Sequence, residues 1–185
     1  MAQEDSARDR LLAATIDHVA EHGMADVSLR SLAAAIGTSH RMLIYHFGSK
    51  EGLLVEVVRA VEARQREALA AFSADGTESA ADVMRRMWRD LTDPSRWPHE
   101  RLFFEMYGQA LQGRPGTAPL LEGIVDSWLD KASEIGIRRG MDPETMRAHA
   151  RLGVATMRGL LLDLLATGDR AAVDRAMDQF ISFYE

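Results

Sequence analysis

Between Val27 and Lys50 the chain reads VSLRSLAAAIGTSHRMLIYHFGSK, a run that contains Arg30, Arg41 and Lys50 but no acidic residue, in a protein whose net charge is −6. Guanidinium, ammonium, hydroxyl and imidazole groups are the types that hydrogen-bond phosphate oxygens and the edges of nucleic-acid bases. Phosphate contacts supply most of the non-specific affinity of a DNA binder, and short donors near a helix N-terminus reach base edges in the major groove. The spacing fits that chemistry. Leu43 and Phe47, four apart, form an inward stripe, which turns His40, Arg41 and Ile44 outward with Tyr45 beside them. Charge alone is not diagnostic: residues 1–67 hold 8 Lys and Arg against 10 Asp and Glu, and three cations on one helix face also make an ordinary solvated surface.

The elements that must position these groups are two short helices joined at a glycine. Ser28 is a good N-cap for the first, whose Leu29, Leu32, Ala33 and Ile36 recur at helical spacing before Gly37 stops it. Ser39 caps the second and Gly48 ends it. Ser49 opens a further helix, and Lys50 in its first turn lies where free backbone N–H groups and the positive helix end already favour a phosphate oxygen.

The run TSHRMLIYHFGSKEGLL, preceded by SLRSLAAAIG and by an amphipathic helix ending in EHG, closely resembles the N-terminal domain of the tetracycline-repressor (TetR) family of transcriptional regulators. The resemblance covers about the first third of the chain. Its strongest parts are Gly23, the Ser28–Gly37 helix, Ser39, Leu43, Tyr45-His46-Phe47-Gly48, and Lys50 with Glu51, Leu53 and Leu54. It implies base contacts at Ser39, His40, Arg41, Met42 and Ile44, with Arg30 adding one from the preceding helix, and phosphate contacts at Tyr45, His46 and Lys50. The alternative for Tyr45 and His46 is packing between the helices, since both types are intermediate in burial. Where the family often has a basic residue, Gly or Pro, Thr or Ser, then Leu-Tyr, this chain has His40, Arg41, Met42, Leu43 and Ile44. That wording changes what the helix touches: Arg41 can fork to guanine N7 and O6, and Ile44 can meet a thymine methyl.

At 185 residues and 46% hydrophobic, the chain is long enough for one domain or two small helical ones. Cysteine is absent, which excludes disulfides, thiol catalysis and cysteine-based zinc sites. There is no run of about 18 apolar residues and the N-terminus is polar and acidic, so a soluble cytoplasmic protein without a membrane partner is expected. Apolar residues recur at three and four almost throughout, predicting an all-α fold of about nine helices. They run from Ser6 to His22; through the helix-turn-helix pair; from Ser49 to Phe72, with a break at Ser73–Thr77; from Glu78 to Leu91; through ERLFFEMYGQALQ; from Pro119 to about Arg139; from near Asp142 to Gly168; and from Arg170 to Tyr184. The expected division is residues 1–48 as the helix-turn-helix domain and 49–185 as a ligand-binding and dimerisation domain, with 49–72 a connecting helix.

From Leu152 to Leu165 only Arg158 and Asp163 are charged, so that helix needs cover on more than one side. Leu152, Ala155, Gly159 and Leu162 carry one face of small and apolar residues; Val173, Met177, Phe180 and Tyr184 repeat at four, three and four on the last helix. Both stripes can serve the monomer core. In the resembled family the last two helices pair into a four-helix dimer interface, which implies a homodimer reading a palindromic double-stranded operator. Met84, Met87, Trp88, Phe103, Phe104, Tyr107, Trp128 and Met157 supply large adaptable side chains for a pocket, or simply for a core. The resemblance implies release from DNA by a small effector held there.

One rival motif is present. His18-Val19-Ala20-Glu21-His22 spells H-x-x-E-H, the inverted zinc-hydrolase signature. Both histidines also fit a helix stop before Gly23, where His suits the negative helix end. No G-x-S-x-G elbow, phosphate-cradling glycine loop or E-x-x-H pair is found. The expectation is therefore a non-enzymatic, cofactor-free and metal-free repressor, with a helical ligand-binding dimer lacking operator recognition as the alternative.

Overall fold

The computed structural model describes residues 2–23, 28–72, 78–137 and 140–185, and among these it has nine α-helices and no strand. They are α1 (Ala2–His22), α2 (Leu29–Ala35), α3 (His40–Phe47), α4 (Lys50–Phe72), α5 (Ala80–Leu91), α6 (Trp97–Leu111), α7 (Asp126–Ile137), α8 (Pro143–Thr167) and α9 (Arg170–Ile181). The expected break at Ser73–Thr77, Val27 at the head of the basic run and the expected helix end at Arg139 lie outside the described residues.

Local chemistry sets most helix starts. Ser28, Ser39, Ser49 and Ser79 each accept a backbone N–H three residues on, at 2.9–3.2 Å, an arrangement worth about 1 kcal/mol per serine. Asp142 and Asp169 do the same for Thr145 and Ala172. Gly48 and Gly168 close α3 and α8 with φ of +75° and +71°, a region that L side chains avoid.

The predicted seventh helix is corrected. Instead of running from Pro119, the chain makes a 3₁₀ turn over Ala118–Leu121 and irregular turns up to α7. Glu122 is extended and Gly123 has φ +68°, so the path bends while Leu120 and Ile124 are buried. The last helix also stops early: α9 ends at Ile181, and a 3₁₀ turn carries Ser182–Tyr184.

Packing groups the chain into two units that do not follow its linear order. The first comprises Met1–Ala63 and Ser95–Glu122, the second Arg64–Pro94 and Gly123–Glu185. In the first, Val19, Leu32, Leu43, Leu53, Val57, Met106 and Leu120 are fully buried, and His99 on α6 meets the Ile16 carbonyl of α1 at 3.0 Å. In the second, Leu69, Val83, Met87, Leu91 and Trp128 form an apolar cluster, with Ala132, Val154 and Met157 packed against it. Polar ties hold α5 to α9: the Trp88 indole donates to Asp174 at 2.7 Å, and Arg170 bonds Asp174 and donates to the Thr92 carbonyl at 3.0 Å.

Candidate nucleic-acid interface and effector cavity

On α3 the two stripe residues are buried, Leu43 fully and Phe47 at 8% exposed, and these anchors fix which way the helix faces. Ser39, His40, Arg41, Met42, Ile44 and Tyr45 are all exposed, as is Arg30 on α2. Every residue expected to meet bases therefore lies open to solvent, and no acidic side chain stands in the first turn of either helix. Tyr45 is 67% exposed, its ring edge-on to His46 at 5.0 Å. His46 is half-buried and its Nε2 is enclosed with no hydrogen bond from any described residue, which favours packing over phosphate contact for that imidazole. Lys50, half-buried, begins α4 next to the Ser49 cap.

The corner between α3 and α4 is tight. Ser49 N donates to the Phe47 carbonyl at 2.8 Å, and Gly52 lies so close that a Cβ there would overlap the Phe47 carbonyl oxygen. Arg8 of α1 clamps the corner, stacking over the Phe47 ring at 5.1 Å and pairing with Glu56 at 3.0 Å. From the other side Arg114 meets Glu51 at 3.1 Å, and a Cβ on Gly116 would come within 3.3 Å of Glu51. Arg59 pairs with Glu122 at 3.8 Å and bonds the Pro119 carbonyl. Arg8 and Arg114 escape a reading of the sequence because their partners, Glu56 and Glu51, lie far along the chain, whereas at Gly52 the absence of a side chain inside an otherwise regular helix hints at the close approach of the Phe47 carbonyl.

In the second unit a cavity of about 530 Å³ opens among α4, α5, α7, α8 and the end of the chain. Four of the expected pocket residues line it: Met84, Met87, Trp128 and Met157. The other four do not. Trp88 on α5 spends its N–H on Asp174 instead. Phe103, Phe104 and Tyr107 belong to the first unit, where Phe103 is buried, stacked on Tyr107 at 5.5 Å and edge-on to Phe104 at 5.1 Å. Lining residues that were not expected in the pocket include Leu69, Met141, Met146, His149 and Phe183, together with Phe180 and Tyr184 of the last stripe. At one wall the Tyr184 hydroxyl lies 3.4 Å from His149 Nδ1 with the rings edge-on, and burial pushes the Tyr184 phenol pKa up.

The two apolar stripes of the last helices turn in different directions. On α8, Leu152 is 54% and Leu162 50% exposed, with Ala155 and Gly159 open between them. On α9, Val173, Met177 and Phe180 are buried inside the unit, and Tyr184 is half-buried against His149 and Phe180. These α9 residues, expected at a partner chain, pack on their own chain, and the exposed positions of α9 are Ala171, Arg175, Ala176, Asp178 and Gln179, with Phe183 beyond its end at 75%. The His18 and His22 rings stack at 4.6 Å, and among the described residues no three His, Cys, Asp or Glu side chains are grouped to hold a metal ion. Nor, among those residues, is any helix long and apolar enough to cross a membrane.

Comparison with known proteins places these features in context. Residues 11–57 match the family described as bacterial regulatory proteins, tetR family. The chain is 40% identical over 172 residues to the HTH-type transcriptional regulatory protein RaaS of Mycobacterium tuberculosis, covering 86% of this chain and 72% of that one. It is 33% identical over 82 residues to the HTH-type transcriptional regulator BetI of Stenotrophomonas maltophilia, a match spanning 44% of this chain and less than half, 42%, of the relative. Among solved structures, a transcriptional regulator from Rhodococcus sp. RHA1 aligns with a TM-score of 0.75 at 23% identity, covering 96% and 94% of the two chains. A protein from Saccharomonospora viridis, described as a transcriptional regulator and solved in complex with choline, aligns at 0.67 and 22% identity, covering 97% and 95%.

Proposed function

The chain belongs to the tetR family of bacterial regulatory proteins, and from that premise we propose that it is a ligand-responsive repressor that binds a palindromic operator as a homodimer. One observation carries the reading: the buried pair Leu43 and Phe47 seats α3 so that Ser39, His40, Arg41, Met42 and Ile44 face solvent together, free of acidic neighbours in the first turn. In this reading those residues and Arg30 meet base edges, while Lys50 and Tyr45 hold phosphates. Residues 1–48 read DNA, and residues 49–185 bind effector and partner, with 49–72 as the connection.

The exposed α8 face of Leu152, Ala155, Gly159 and Leu162 is the proposed dimer surface. Its three-and-four spacing suits knobs-into-holes contact, and Gly159 has open space where a facing helix can approach. From the end of the chain Ala176 and Phe183 would join it. The cavity lined by Met84, Met87, Trp128 and Met157 is the proposed effector site; the choline held by the Saccharomonospora viridis protein supports small-molecule binding in this fold. An effector that binds better to the form with recognition helices misplaced for successive major grooves draws the dimer off DNA; one that binds both forms equally does nothing.

Selection of bound duplexes from a random pool at physiological salt tests the proposal. Enrichment of a palindrome with half-sites one helical turn apart is the expected result. No enrichment over input would leave a helical ligand-binding protein without operator recognition.

A further inference from the structure

The cavity is apolar except at one wall. Met84, Met87, Trp128 and Met157 present thioethers and an aromatic face, whereas His149 and Tyr184 bring an imidazole and a phenol to the same space. Their mutual contact, 3.4 Å from the Tyr184 oxygen to His149 Nδ1, is at the outer limit of a hydrogen bond, well beyond the usual 2.7–2.8 Å of hydroxyl donors. A ligand oxygen that accepts the Tyr184 proton gains nearly a full bond and displaces a poor one. Desolvation holds the phenol protonated, so it remains a donor across the physiological range. A ligand with a second polar atom, set against the thioethers and aromatic face opposite, would lose that atom's hydration with no return, a penalty of about five- to 150-fold in affinity.

We propose that the effector is an uncharged, largely apolar molecule with a single oxygen acceptor, of the aryl-ketone class, anchored on the Tyr184 hydroxyl beside His149. This rests on the reading of the cavity as the effector site.

Two probes of nearly equal shape test it, 4-benzoylbiphenyl and 4-benzylbiphenyl, which differ in a carbonyl against a methylene. With the full-length protein in equilibrium dialysis, the ketone binds about three- to tenfold tighter than the hydrocarbon, the value of one hydrogen bond. In Tyr184→Phe the carbonyl oxygen is left without its donor, so the preference for the ketone disappears and the ratio falls to about one or below, while the hydrocarbon binds as before. His149→Leu, which removes the competing imidazole, keeps the preference for the ketone and serves as a second variant should the first fold poorly. Equal binding of both probes to the unaltered protein, or a preference that survives Tyr184→Phe, overturns the anchor and leaves the cavity as a binding site. If neither probe binds, the effector site and the anchor fall together.

Discussion

The outward face of α3 is made by a few consecutive residues, whereas the cavity wall draws on five separate stretches of chain between Leu69 and Tyr184. Within α3, spacing decides which side chains share a face, because Leu43 and Phe47 need only be buried for the rest to be exposed. In the cavity, spacing marks which residues are large and apolar but leaves open which of them meet. Trp88 and Met87 are neighbours on α5; one spends its polar atom on α9 and the other lines the space. Local patterning thus specifies a surface, and tertiary closure specifies a volume.

The sharpest way to break this contrast is to disturb α3 from outside it. Gly52→Val puts a branched side chain into the Phe47 carbonyl and should cost about 3 kcal/mol in urea unfolding, along with operator binding, although no DNA-facing group is altered. Next in size, Gly153→Leu should fill part of the cavity: nothing stands within 4 Å of a Cβ there, and leaving glycine raises helix propensity by about 1 kcal/mol. Thermal unfolding should therefore hold or rise and duplex binding persist, while affinity for 4-benzylbiphenyl in dialysis drops more than about tenfold. A loss of DNA binding in that variant would show the two regions are not separable.

Effects confined to DNA recognition sharpen the α3 side. Arg41→Ala should relax preference at one position per half-site by about five- to 150-fold in competition binding, whereas Lys50→Ala should weaken all sequences alike and lower the salt slope by about one per half-site. A Lys50→Ala protein with an unchanged slope would remove that residue from the phosphate contacts. The smallest effect is on α8. The Thr145 backbone N–H bonded to Asp142 holds its carboxyl below the usual 3.8. Its contribution is complete above that value and is lost as pH falls through the lowered folded-state pKa. Urea midpoints measured from pH 5 to pH 2.5 should thus decline slightly less steeply in Asp142→Asn, which keeps an acceptor at the cap without the titration.

The caps at Ser28, Ser39 and Ser49, the glycine stops and the α3 face were legible because each depends on residues a few positions apart: Ser39 bonds Met42, and Gly48 closes on Ile44. The bend at Gly123 was not, since one glycine within an apolar run does not announce a left-handed turn. The stripe Val173, Met177 and Phe180 was legible as a packing surface, but a stripe does not say what it packs against, and here it is its own subunit. The pairing of His149 with Tyr184 was not legible, because the two lie 35 residues apart and meet only once α8 and the end of the chain are folded together.

Leu152 stands in two surfaces at once. Its side chain forms part of the cavity wall, and it is also one of the open residues on the face through which two copies are proposed to meet. A residue so placed ties two equilibria together: whatever an occupant of the cavity does to Leu152, it does to the association of subunits, and by linkage the association changes affinity for the occupant by the same factor. The dose of effector needed for half-release would then vary with how much of the protein is present, so that a cell holding few copies and one holding many would respond to different concentrations of the same compound.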